Sequence, residues 1–143
     1  MQDILTCAMG LDVHRDIIVA CLVKGAVDAE PEAETRTFST LIPEMQKLRD
    51  WVSDAECRNV AMESTGIYWQ PIYEMLESCF DGEISILVVN ARHMKNVPGR
   101  KTDMKDAQWI ATLLRAGLLK GSFIPGKAFR ELRHLTRYRK SVV

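Results

Sequence analysis

Two short apolar runs that each end on an acid constrain this chain more than any other feature. Cys7-Ala8-Met9-Gly10-Leu11 leads into Asp12, and Asn59-Val60-Ala61-Met62 leads into Glu63. Each run has the length and composition of a buried strand. A second pair of acids, Asp103 and Asp106, lies three residues apart at the start of an expected helix, so the two side chains share one face. Carboxylates at the ends of core strands are costly to bury unless a positive charge sits among them. Carboxylate oxygens suit hard divalent cations such as Mg²⁺ or Mn²⁺. Two strand acids and a helical pair converging on one or two such ions have the layout of a site for metal-dependent phosphoryl transfer on nucleic acid.

The rest of the chain supplies a frame for these acids. Residues 5–13 and 17–24 read as strands, and the short polar link His14-Arg15-Asp16 makes them an antiparallel hairpin. Residues 25–33 are rich in Gly, Ala and acids and read as a turn, and Thr35 to Ser39 reads as a short third strand. Pro43 opens a helix on which Leu41, Met45, Leu48 and Val52 recur at helical spacing, with Thr40 as its N-cap. Residues 58–63 form the next strand. Tyr68 to Phe80 forms a helix with Ile72, Met75, Leu76 and Cys79 on one face, and Pro71 fits only in its first turn. Ile84 to Val89 is a strand apolar enough for burial on both faces. Residues 90–101 read as a basic loop, and Thr102 caps a helix over 103–116 that Gly117 stops. Residues 121–126 read as a linker and 127–143 as a basic helix. A leading antiparallel meander followed by alternating helices and strands predicts an α/β fold: a mixed sheet with helices on both faces, as in the RNase H-like fold.

At 143 residues the chain is long enough for one domain with a real core. No apolar stretch approaches the roughly 18 residues needed to span a membrane, and the start carries no secretory signal, so the cytoplasm is the expected location. Cys7, Cys21, Cys57 and Cys79 form no CxxC pair and no zinc spacing, and are read as structural. The net charge of zero hides a split. Residues 1–90 hold 6 Lys+Arg and 16 Asp+Glu, whereas residues 91–143 hold 13 Lys+Arg and 3 Asp+Glu. The basic part suits a phosphate backbone. Arg92, His93, Lys95, Arg100, Lys101 and Lys105 flank the Asp103–Asp106 pair and are expected to bind nucleic acid beside it.

Four blocks now carry a resemblance. Gly10-Leu11-Asp12-Val13-His14, Met62-Glu63-Ser64-Thr65-Gly66-Ile67-Tyr68-Trp69, Val89-Asn90-Ala91-Arg92 and Lys101-Thr102-Asp103-Met104-Lys105-Asp106-Ala107 resemble, in this order, the RuvC-like N-terminal domain of the DEDD transposases of the insertion-sequence one-hundred-ten group. The resemblance implies that Asp12, Glu63, Asp103 and Asp106 are the catalytic, metal-binding tetrad. It further implies DNA as substrate, a structured guide RNA and a homo-oligomer as partners, and a C-terminal domain with a nucleophilic serine. Residues 1–120 then form the catalytic domain, and 121–143 begin a helical connection to that further domain.

Several neighbours have a plainer expected role. His14 reads as an exposed residue after a strand, Ser64 and Thr65 as caps of the next helix, Gly66 as a tight turn, and Tyr68 and Trp69 as either packing groups or base-stacking platforms. Two other functions stay open: a stand-alone RuvC-like nuclease, and a nucleic-acid-binding or dimerisation module with structural acids. A sugar-kinase-like ATPase shares the opening strand-Gly-x-Asp pattern, but no glycine-rich phosphate loop follows it.

Overall fold

The computed structural model describes residues 4–64, 66–89 and 106–119. Within them, five strands form one sheet: β1 (Cys7–Val13), β2 (Ile17–Lys24), β3 (Glu32–Ser39), β4 (Asn59–Ser64) and β5 (Ser85–Val89). Helices α1 (Ile42–Asp54), α2 (Trp69–Phe80) and α3 (Asp106–Arg115) complete the described fold. The strand order is β3-β2-β1-β4-β5. β1, β2 and β3 run antiparallel in sequence order, and β4 lies parallel to both β1 and β5.

Strand alternation sorts the side chains onto two unlike faces. On one, Met9, Leu11, Val13, Ile18, Val60 and Met62 pack with Leu48 and Val52 of α1 and Ile72 and Leu76 of α2. On the other, the side chains are small. Ala8, Ala61, Cys21 and Gly10 face Ala107, Ile110 and Ala111 of α3, so this helix lies close on the sheet. A Cβ added to Gly10 would stand 2.6 Å from the Ala111 amide nitrogen and 3.0 Å from Ile110 Cβ, and closer still to the Ala107 carbonyl oxygen. Glycine is needed there because the helix backbone occupies the space a side chain would fill.

The far end of α3 is pinned through Arg115, which is 1% exposed. Its Nε donates to the Leu5 carbonyl (2.9 Å), and its Nη2 donates to the carbonyls of Gly25 (3.0 Å) and Ala26 (2.7 Å). The Arg115 carbonyl in turn accepts from the amides of Ile4 and Leu5. The guanidinium therefore ties the helix to the entrance of β1 and to the turn after β2. Arg115→Met strands these buried carbonyls, and is expected to lower the unfolding free energy by about 2–4 kcal/mol in a urea titration. An unchanged midpoint would show that the carbonyls find water instead.

Local chemistry explains most element ends, and corrects several expectations. α1 starts with Pro43 in its first turn, but its N-cap residue is Leu41, without a side-chain cap. Thr40 instead donates its hydroxyl to the Arg15 carbonyl (2.9 Å), tying the β1–β2 hairpin to the chain entering α1. Leu41 is exposed, and the buried stripe is Met45, Leu48, Trp51 and Val52. β3 reaches back to Glu32, into residues expected to be a turn. Its backbone pairs with β2 along its whole length while Glu32 to Thr37 stay exposed, so no apolar pattern announces it. β5 is the edge of the sheet among the described strands, and it packs on both faces as its composition suggested, Ile86 and Val88 on the α1–α2 side and Leu87 and Val89 on the α3 side. Cys79, in the last turn of α2, is exposed, its sulfur 3.7 Å from the Arg49 guanidinium of α1. α3 ends as expected at Gly117, with φ +73° and the Leu118 amide donating to the Leu113 carbonyl. The C-terminal helix expected over 127–143 and the linker before it fall outside the described residues.

Candidate metal centre at the end of the central strands

The parallel pairing of β1 with β4 sets Asp12 directly opposite Glu63. Register partners on adjacent strands point to the same face about 5 Å apart. The row continues outward on both sides, Val19 beside Asp12 and Val89 beside Glu63. Two carboxylates thus sit side by side between two valines, on the face that α3 covers. Like charges directly opposite each other in a sheet are destabilising. Two hard oxygen donor groups on adjacent strands are an arrangement that a divalent cation can bridge.

α3 brings the third acid to the same end. The helix runs antiparallel to β1: Arg115 reaches Leu5 at the strand's entrance, and Ala107 rests on Gly10 near its exit. Asp106, one residue before Ala107, therefore stands at the Asp12 end of the sheet, exposed, in the first turn of the helix. Acids are favoured there by the helix dipole. Among the described residues, no group of three or more His, Cys, Asp and Glu stands close enough to hold a metal ion. The structure joins Asp12 with Glu63 and puts Asp106 at their end of the sheet, short of a closed cluster. Asp103 lies outside the described residues, as do Arg92, His93, Lys95, Arg100, Lys101 and Lys105.

One neighbour does more than its sequence reading gave it. His14 Nε2 lies 3.0 Å from Asp12 Oδ2, the imidazole 47% exposed and the carboxylate 17% exposed. His14 is exposed as expected, and its ring also holds one oxygen of the central acid. The signal in the sequence was the two-residue spacing, which returns a side chain to the same face where the strand continues. Gly66 has φ +64° and makes the expected turn after β4. Ser64 closes β4 and does not cap α2, whose N-cap residue is Tyr68. Trp69 packs edge-on against Tyr73, at 5.5 Å between ring centroids. Tyr68 is 41% exposed and lines a cavity of about 370 Å³ with Arg15, Ile18, Met45 and Pro71. Ile18 and Met45 belong to the α1–α2 face, so this cavity lies across the sheet from the carboxylates.

The chain can now be set beside known proteins. The DEDD transposase model of the IS110 group, described as "Transposase", matches residues 9–143. None of the curated proteins matches the chain. Among solved structures, Thermus thermophilus RuvC is similar with a TM-score of 0.56 at 13% identity, over 81% of this chain and 99% of that one. T. thermophilus RuvC in complex with a Holliday junction substrate is similar at 0.55 and 12% identity, over 82% of this chain and 100% of that one. At such identities the likeness establishes the fold, which is RNase H-like, with its helices on both faces of the mixed sheet as expected. No helix among the described residues is long and apolar enough to cross a membrane. With a family match running from β1 to the last residue, this chain belongs to the DEDD transposases of the IS110 group.

Proposed function

We propose that residues 1–120 form the catalytic domain of a DNA transposase that performs divalent-metal-dependent phosphoryl transfer on DNA in the cytoplasm. The observation that carries this reading is the side-by-side placement of Asp12 and Glu63 on the end of the central strands. Their oxygens are the hard donors that Mg²⁺ or Mn²⁺ takes, and their partial burial suits an ion that needs both bound water and fixed ligands. Asp103 and Asp106 complete the proposed tetrad. Divalent ions held there would activate the attacking hydroxyl or water and stabilise the leaving oxygen. The chain's own residues set the geometry. Asp12 is held by the β1 backbone and by His14, Glu63 by β4, and Asp106 by the close seat of α3 on Gly10. Arg92, Lys95, Arg100, Lys101 and Lys105 are proposed to bind phosphates of DNA or of a structured guide RNA. Residues 121–143 are proposed to lead to a further domain, within a homo-oligomer.

Calorimetric titration of Mn²⁺ into this chain tests the reading. Binding that Asp12→Asn and Asp106→Asn both weaken supports it, and binding indifferent to both, with DNA present, overturns it. In the same titration His14→Ala is expected to weaken Mn²⁺ binding about tenfold, since groups that hold a ligating carboxylate act on that scale. His14→Gln, which keeps an N–H donor, should recover part of the loss. Equal affinities for all three proteins would remove His14 from the site.

The RuvC-like fold supports a second reading, a nuclease that cuts branched DNA without a further domain. Cleavage of a four-way junction by this chain alone would favour it. A binding module with structural acids predicts instead that DNA or RNA binding survives chelation of divalent metal.

A further inference from the structure

At the opposite end of the same two strands, a different pair of side chains meets. Cys7 opens β1 and Cys57 lies two residues before β4, and both side chains pack in the same apolar cluster at that end of the sheet. Cys7 is half-buried and Cys57 is 2% exposed, with its Sγ 3.3 Å from the Asn59 carbonyl. Lys24 is the register partner of Cys7 on β2, and its Nζ reaches the Ala55 carbonyl at 3.3 Å, so the ammonium spans the strand end that carries the two sulfurs. A cavity of about 340 Å³, lined by Arg58, Cys79 and Phe80, reaches Cys57 from outside.

We propose that Cys7 and Cys57 are a thiol-modification site, at which a peroxide oxidises Cys7 and Cys57 resolves the product to an intramolecular disulfide. The chemistry divides between the two sulfurs. Contact with the Cys57 thiol, and secondly the charge of Lys24, lower the Cys7 pKa to about 7 against the opposing effect of burial. Contact with Cys7 and burial push the Cys57 thiol up. Cys7, the more exposed of the two thiols and the one paired across the sheet with Lys24, is thus the sulfur a peroxide reaches first, and Cys57 resolves the product as it gives up its own proton. The Cys7 sulfur attacks one peroxide oxygen, the O–O bond breaks, and the other oxygen leaves as water after taking a proton. The resulting Cys7 sulfenic acid is attacked by Cys57: the S–S bond forms, the S–O bond breaks, and the hydroxyl leaves as water with the Cys57 proton. Two thiols are oxidised and one peroxide is reduced to two waters. Cys21 is fully buried on the other face of the sheet, against α3, out of reach of both a peroxide and the other two thiols. Cys79 is exposed, with the Arg49 guanidinium 3.7 Å from its sulfur, and serves as the internal comparison.

The test is hydrogen peroxide added to the folded 143-residue chain, followed by alkylation of remaining thiols and non-reducing peptide mapping. The expected product has lost two hydrogen atoms, carries a peptide joining Cys7 to Cys57, and regains the starting mass in dithiothreitol. In Cys57→Ser, Cys7 should accumulate as a sulfenic acid trapped by dimedone. A Cys57–Cys79 bridge, a Cys79-linked dimer with Cys7 still open to alkylation, or four remaining thiols would each overturn the proposal. Mapping of the wild-type chain decides among these without any variant having to fold.

Discussion

DNA strand cleavage in Mg²⁺ is expected to fall by about a hundredfold or more when Asp12→Asn or Glu63→Gln is placed in the transposase, the scale on which losing one group that stabilises developing charge acts. The direction follows from the register. Each acid supplies half of an adjacent carboxylate pair, so removing either leaves one hard donor group where the reaction would need two. The same substitution relieves repulsion between like charges set opposite each other in a sheet. Glu63→Gln is therefore expected to keep the metal-free stability of the wild type, within about 0.5 kcal/mol, or to exceed it. Cleavage and urea unfolding, measured on the same preparation, separate a functional loss from a folding one. A variant that cleaves at the wild-type rate would end the assignment of that acid.

The second large effect is on the fold. Gly10→Val is expected to cost about 3 kcal/mol or more, because the new side chain meets helix backbone on one side and lies in the central strand on the other. No rotamer escapes, since the Cβ itself is already too close to Ala107 and Ala111. Gly10→Ala should show the same sign with a smaller loss, and α3 should shift outward. Trp109, buried on α3, reports that shift through its near-ultraviolet circular dichroism. If Gly10→Val unfolds at the wild-type midpoint, the close seat of α3 on β1 is wrong. Because α3 carries Asp106, a tolerated Gly10→Ala should still impair cleavage more than it impairs stability.

The sequence made the sheet legible where composition and position agreed. β1, β2 and β4 are short apolar runs, and α2 and α3 have one apolar face each, so period and burial coincide. β3 was legible only near Phe38, because the preceding residues are held by backbone pairing with β2 while both of their faces stay exposed. Thr40 looked like a cap because only local sequence was visible, whereas its hydroxyl bonds Arg15, twenty-five residues away. Arg115 would pass as a favourable basic residue at a helix end, and its three carbonyl partners come from two distant segments. The acids fared similarly. Asp12 and Glu63 were visible as chain features, and no reading of their spacing could set them on one row. That placement depends on the parallel register of β1 and β4, which no short-range pattern encodes.

The position of β1 has a consequence for how the molecule opens. It is bonded to β2 on one side and β4 on the other, and lies beneath α3. Amide exchange in such a strand requires its neighbours to separate together, so β1 should exchange with deuterium at the rate of global unfolding. β3, exposed and paired on one side only among the described strands, should exchange through partial opening that leaves the rest intact. The row carrying Asp12 and Glu63 therefore belongs to the last unit to come apart: the peripheral strand can fray while the spacing of the two carboxylates is kept.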